Sequence, residues 1–225
     1  MYGSNYERAA ALRTNDGSGK LAVSAGNLLP FNESGLPNAS GDSPMLFLAG
    51  DLRATEQVGL TTLHTLFVRE HNRLATQIVR RNRSLSGDEI HEQARQMVGA
   101  EIQAITYREY LPALLGPNAL APSRGYDAKL APRIANVFST AIYRYGHSAS
   151  SPTLLRLDAN ANEIDGGHLP LRNAFFNPRV ILEDGIEPLL RGLAAQECQR
   201  IDTADDMDLW VGGLAEDAVD GGHVG

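Results

Sequence analysis

The strongest constraint on this chain is the run QVGLTTLHTLFVREHNRLATQIVRRN, residues 57 to 82. Leu60, Leu63, Phe67, Leu74 and Ile78 fall on one stripe within it, the spacing of a long amphipathic helix that must bury that side. A second helix follows in SGDEIHEQARQMVGAEIQAITYREYLPALLG, where Ser86 and Glu89 stand as a capping box. Ile90, Ala94, Met97, Val98 and Ile105 keep its period, and Pro112 is expected to end or kink it. A third helix is expected over about 133 to 147, with Ile134, Val137, Phe138, Ala141, Ile142 and Tyr145 on its apolar side. GIEPLLRGLAAQE reads as a further helix. Residues 15 to 45, rich in Gly, Ser, Asn and Pro, read as a long irregular surface segment, and residues 116 to 133 as a loop. SPTLLRLDANANEIDGGHLPL reads as a short extended stretch with turns. At 225 residues without an internal repeat, the pattern predicts one mainly α domain with little or no strand.

Composition narrows the function classes. The net charge of -7 argues against a nucleic-acid partner, because phosphate binding needs a basic patch. VRRNR and REHNR are short enough to be solvated helix faces. No apolar run is long enough to cross a bilayer, and MYGSNYERAA is not a signal peptide. Cys198 is the single cysteine, so no internal disulfide forms; it is expected to be a small buried hydrophobe. Asn32, Asn38 and Asn82 stand in N-x-S/T patterns, which are common by chance.

Two polar residues carry the weight. On the third helix Asn136, Thr140, Tyr143 and His147 fall opposite the apolar stripe, a second face without charge and so expected to be covered. His147 at its end fits a capping imidazole beside Gly146, or a metal ligand. In AGDLRATEQ, Arg53 lies between Asp51 and Glu56; local capping and ion pairing explain the segment when it is read alone. His64 and His71, seven apart, sit two turns from each other and read as structural. HEQAR has Arg95 where a zinc-protease helix needs its second histidine. His168 and His223 lie in glycine-flanked loops and read as solvent-facing.

Taken together, FLAGDLRATEQVGLTTLHTLFVREHNRLA, EQARQMVGAEIQAITYREYLPALLG, RIANVFSTAIYRYGH and GIEPLLRGL resemble the animal haem peroxidase superfamily in order and spacing. The likeness runs from MYGS to LWVGGLAED. It implies a helical domain over residues 1 to 225 that holds haem b, with His147 as the proximal iron ligand. Arg53 matches the distal arginine, whose fixed positive charge stabilises the negative charge that develops as peroxide is cleaved. Glu56 matches the acid that forms a haem ester in mammalian members, while Gln57 stands where some carry a haem-bonded methionine. The activity implied is a peroxidase that uses hydrogen peroxide to oxidise small donors, either phenols, halides or thiocyanate. Secretion is the family's implication for location.

Three parts of the family pattern have no counterpart here. The distal histidine, the residues around it and the calcium-binding loop lie upstream of the YGS motif. The segment after the proximal helix, whose asparagine bonds the proximal histidine, is replaced by DDMDLWVGGLAED. The C-terminal region is also missing. A lost distal base implies peroxide cleavage slowed by about 10²–10⁴, and lost helices imply exposed apolar faces that favour self-association. The alternative expectation is a non-catalytic helical remnant or binding module of the same family.

Overall fold

The computed structural model describes residues 1–199 apart from Ser40, Arg124 and Ser148. The tail DLWVGGLAEDAVDGGHVG, with His223, lies outside the described residues. Seven α-helices and one two-stranded sheet are present among them: α1 (Tyr6–Ala11), α2 (Val58–Arg81), α3 (Gly87–Ile105), α4 (Leu111–Leu115), α5 (Asn136–Thr140), α6 (Arg179–Asp184) and α7 (Glu187–Ala195). Strands β1 (Thr153–Leu154) and β2 (Leu169–Pro170) pair antiparallel, Thr153 opposite Pro170 and Leu154 opposite Leu169. The mainly α class expected from the periodicity is the class observed. No described helix is long and apolar enough to cross a membrane.

The α2–α3 pair is the frame. Gln57 caps α2, its side-chain oxygen accepting from the N–H groups of Gly59 at 2.5 Å and Leu60 at 3.2 Å. Ser86 and Glu89 form the reciprocal capping box that starts α3. Leu74, Ala75 and Ile78 of α2 close against Ile90, Ala94 and Val98 of α3. The buried side of α2 differs from the expected stripe, however: Leu60 and Leu63 are exposed, while Thr61, Thr62, Thr65, Val68 and His71 are buried. Threonine is tolerated there because its hydroxyl can bond a carbonyl one turn back, as Thr65 Oγ1 does to Thr61 at 2.8 Å.

The N-terminal segment is irregular as expected, but it is no surface decoration. Leu21, Leu28, Leu29, Phe47 and Ala49 join Val58, Val68, Ile181, Ile186 and Leu189 in the largest apolar cluster. Side-chain amides replace the missing ladders. Buried Asn32 donates to the carbonyls of Leu36 and Asp42 and accepts from the Leu36 N–H. Buried Arg8 donates to Asn38 Oδ1, to Ala49 O and to Pro37 O, so its charge is compensated by backbone dipoles. Asn32 and Asn38 are thus packing residues.

One helix expectation is refined and another needs correction. Pro112, expected to end or kink its helix, lies where the regular α-helix has already given way. A π turn, Thr106–Tyr110, follows α3, and Pro112 sits in the first turn of α4, where a missing N–H costs nothing. The third helix is not a continuous α-helix over 133 to 147. It is α5 followed by a break at Ala141 (φ -126°, ψ -65°) and a 3₁₀ turn, Ile142–His147. Its apolar side is open: Ile134, Val137, Phe138 and Ile142 are all exposed, as is Tyr143 on the other side. Short helices draw most of their stability from packing, and this one has no core beneath it to enforce one period.

Candidate functional site

Arg53 is placed by a 3₁₀ turn, Leu52–Thr55, that leads into α2. Asp51 caps the turn, accepting from the Arg53 N–H at 2.9 Å. The same carboxylate takes the guanidinium, with Nε to Oδ1 at 3.0 Å and Nη2 to Oδ2 at 3.4 Å. That bond holds the Asp51 carboxyl below its usual range and raises Arg53 further above neutrality. The Arg53 side chain is 77% exposed, so the ion pair positions the group more than it stabilises the fold. Thr61 Oγ1 donates to the Ala54 carbonyl at 3.2 Å and pins the turn to α2. Glu56 closes the turn, with its N–H to the Arg53 carbonyl at 3.1 Å and its own carbonyl accepting from Phe176 at 2.8 Å.

His147 ends the 3₁₀ turn and is half-buried. Ser150 meets the carbonyls at that end: its hydroxyl donates to Gly146 and its N–H to His147, each at 3.3 Å. Tyr143, in the same 3₁₀ turn as His147, acts electrostatically on Arg53, as does Glu56. Phe138 stands beside Tyr143, ring centroids 6.0 Å apart. One structural bond in this region had no signal in the sequence beyond the letters of TYREY and YRYGH. The hydroxyls of Tyr110 and Tyr145 are 2.7 Å apart and tie the 3₁₀ turn to the π turn after α3.

The remaining candidates sort differently. His71 is fully buried: its Nε2–H donates to the Gly19 carbonyl and its Nδ1 accepts from the Tyr2 hydroxyl, both at 3.0 Å. His91 packs against the His71 ring at 4.9 Å between centroids. Burial pushes both His64 and His71 down to about 4. His168 is not a solvent-facing side chain. It is half-buried, with Nδ1 accepting from the Arg156 N–H at 3.3 Å, because buried Arg156 gathers this loop through Gly166, Gly167 and Asp184. Cys198 is exposed rather than buried; it lies beyond the last turn of α7, and no described element covers it.

The donor chemistry can be tested against a haem. The Arg53 and His147 segments carry a half-buried imidazole, a guanidinium and a carboxylate, and Phe138 and Ile142 expose apolar side chains on the segment of His147. These are the ligand, cation and apolar contacts such a group requires, so the residues present fit it in kind. Among the described residues no three His, Cys, Asp or Glu side chains cluster to hold a bare metal ion.

The chain is therefore a helical framework carrying one arginine turn ahead of α2 and one imidazole turn after α5. It belongs to the animal haem peroxidase family, whose pattern matches residues 1–204. It is 49% identical to the peroxidasin homolog of Mus musculus over 74% of its length and 12% of that relative's. It is 46% identical to thyroid peroxidase of Sus scrofa over 75% of its length and 19% of that relative's. Among solved structures, peroxidase A from Dictyostelium discoideum aligns with TM-score 0.82 and 33% identity, over 90% of this chain and 40% of that one. Rice fatty acid α-dioxygenase shares the fold at TM-score 0.67 and 21% identity. The chain thus spans well under half the length of each of these proteins.

Proposed function

We propose that this chain supplies the haem-ligating and arginine-bearing part of a peroxidase that consumes hydrogen peroxide and oxidises small donors such as phenols, halides or thiocyanate. What supports this is the family match over residues 1–204, together with the electrostatic influence on Arg53 of Tyr143, four residues before His147. His147 would hold the haem iron, with Glu56 and Arg53 at the group's edge and face. When bound, haem b supplies the redox chemistry. Arg53 contributes a positive charge that no ordinary pH removes, oriented by Asp51, and a guanidinium of this kind favours the state in which negative charge gathers on a departing oxygen. Exposed Phe138 and Ile142 offer apolar surface against which a macrocycle would exclude water. Secretion, the location that the family resemblance implies, is part of the same proposal.

A specific observation favours a second reading, that of a non-catalytic remnant: the segment from Ile134 to Tyr143 is open to solvent on both of its faces. One experiment separates the two. Titrating haem into the full chain is expected to give a Soret band that His147→Ala removes. Peroxide-dependent oxidation of a phenol should exceed that of free haem and fall about 10²-fold or more in Arg53→Ala. A Soret band unchanged in His147→Ala would remove the ligand assignment, and turnover equal to free haem would favour the remnant.

A further inference from the structure

The bond between Tyr110 and Tyr145 joins two elements through two phenols, and the pair is accessible: Tyr110 is 53% exposed and Tyr145 half-buried. The residues are 35 apart in sequence, one ending the π turn after α3 and the other two residues before His147. We infer that Tyr110 and Tyr145 form an oxidative cross-linking site, at which one-electron oxidation couples the two rings and fastens the His147 turn to the α3–α4 segment.

The chemistry follows from the contact. The carbon ortho to each hydroxyl is bonded to the carbon that carries it, so hydroxyls 2.7 Å apart hold the two rings near each other and leave only their reorientation to bring ortho carbons into contact. Holding both partners in place removes the encounter that otherwise limits radical coupling. Each phenol gives up one electron and one proton, the proton passing to solvent. A carbon–carbon bond then forms between the ortho carbons, and the two ring hydrogens they carried move to the oxygens, restoring both phenols. Two electrons and two protons leave in all, which reduces one hydrogen peroxide to two waters or two equivalents of a one-electron oxidant. Tyr143, two residues before Tyr145, is differently engaged, its ring centroid 6.0 Å from that of Phe138.

The site does not depend on the peroxidase reading; only the idea that the chain's own haem drives the coupling rests on it. The test is to expose the dilute full chain to hexachloroiridate(IV), a one-electron oxidant, and to map the peptides by mass. The expected product joins the Tyr110 and Tyr145 peptides within one molecule, lighter by two hydrogens than the sum of the two, with dityrosine fluorescence. Tyr110→Phe and Tyr145→Phe should each lose that product, while Tyr143→Phe keeps it. Cross-links spread over other tyrosines, cross-links only between molecules, or an undiminished yield in Tyr110→Phe would overturn the site. The mapping of the unaltered chain needs no variant to fold. A parallel sample given haem and peroxide alone addresses the other question. The same peptide there supports the peroxidase reading as well, and its absence beside a positive iridate sample counts against that reading only.

Discussion

The imidazole of His71 shows how one side chain couples folding to acidity. With both ring nitrogens bonded and the ring sealed, it resists protonation in the folded chain, as His64 and His91 also do. Arg13 and Arg95 add positive charge near the His71–His91 pair, opposed by Glu92. In the unfolded chain such rings accept a proton near pH 6.5. As pH falls below that value, the unfolded state binds protons that the folded state refuses. Stability is therefore intact above about pH 6.5 and drains away towards pH 4. A fully buried ring such as His71 should contribute a loss of about 3 kcal/mol across that window. Urea midpoints measured at pH 7 and pH 4.5 check this, and His71→Asn, which cannot titrate, should show a smaller drop than the parent. A midpoint indifferent to pH would contradict it.

At the scale of elements, the seating of α7 on β1 turns on one glycine. A Cβ built on Gly192 would stand 1.7 Å from the Leu155 carbonyl oxygen, which is backbone and has no rotamer to give. Gln196, just past the helix, clasps the same strand through Thr153 O at 2.6 Å and the Leu155 N–H at 3.3 Å. Gly192→Ala should thus destabilise by about 3 kcal/mol despite the better helix propensity of alanine, read as a lowered urea midpoint. The sequence made the elements with their own signals legible: α2 by its period, α3 by its capping box, α7 by its apolar spacing. It was less informative where a partner decides. The side of α2 that faces inward depends on threonine hydroxyls returning to the helix backbone, which no hydrophobic count registers. The segment around His147 has a clean pattern and no core to lie on, so its period was read but not realised. At the site, the Arg53 and His147 assignments came from ordered motifs, whereas the Tyr110–Tyr145 bond joins segments whose proximity no local pattern encodes.

Across the whole molecule, the described chain is unevenly covered. The N-terminal segment closes part of it, its leucines and buried Arg8 completing the core. Elsewhere Leu60, Leu63 and Leu66 of α2, Leu114 and Leu115 of α4, and Ile134 and Ile142 remain in contact with water. A protein that leaves so many large apolar side chains uncovered tends to associate. Sedimentation velocity on the isolated chain should show mass rising with concentration, more strongly at high salt, where the mutual repulsion of its -7 charge is screened. Ile134→Lys with Ile142→Lys should restore a smaller species; a single monomeric boundary at every concentration would refute the expectation.

The π turn ahead of Pro112 carries a geometric consequence of its own. Its wider winding fits one surplus residue into a helical path, and each residue of an α-helix accounts for about 100° of rotation. The compass bearing of α4, and with it that of Leu114 and Leu115, is accordingly turned by a single peptide unit of slack.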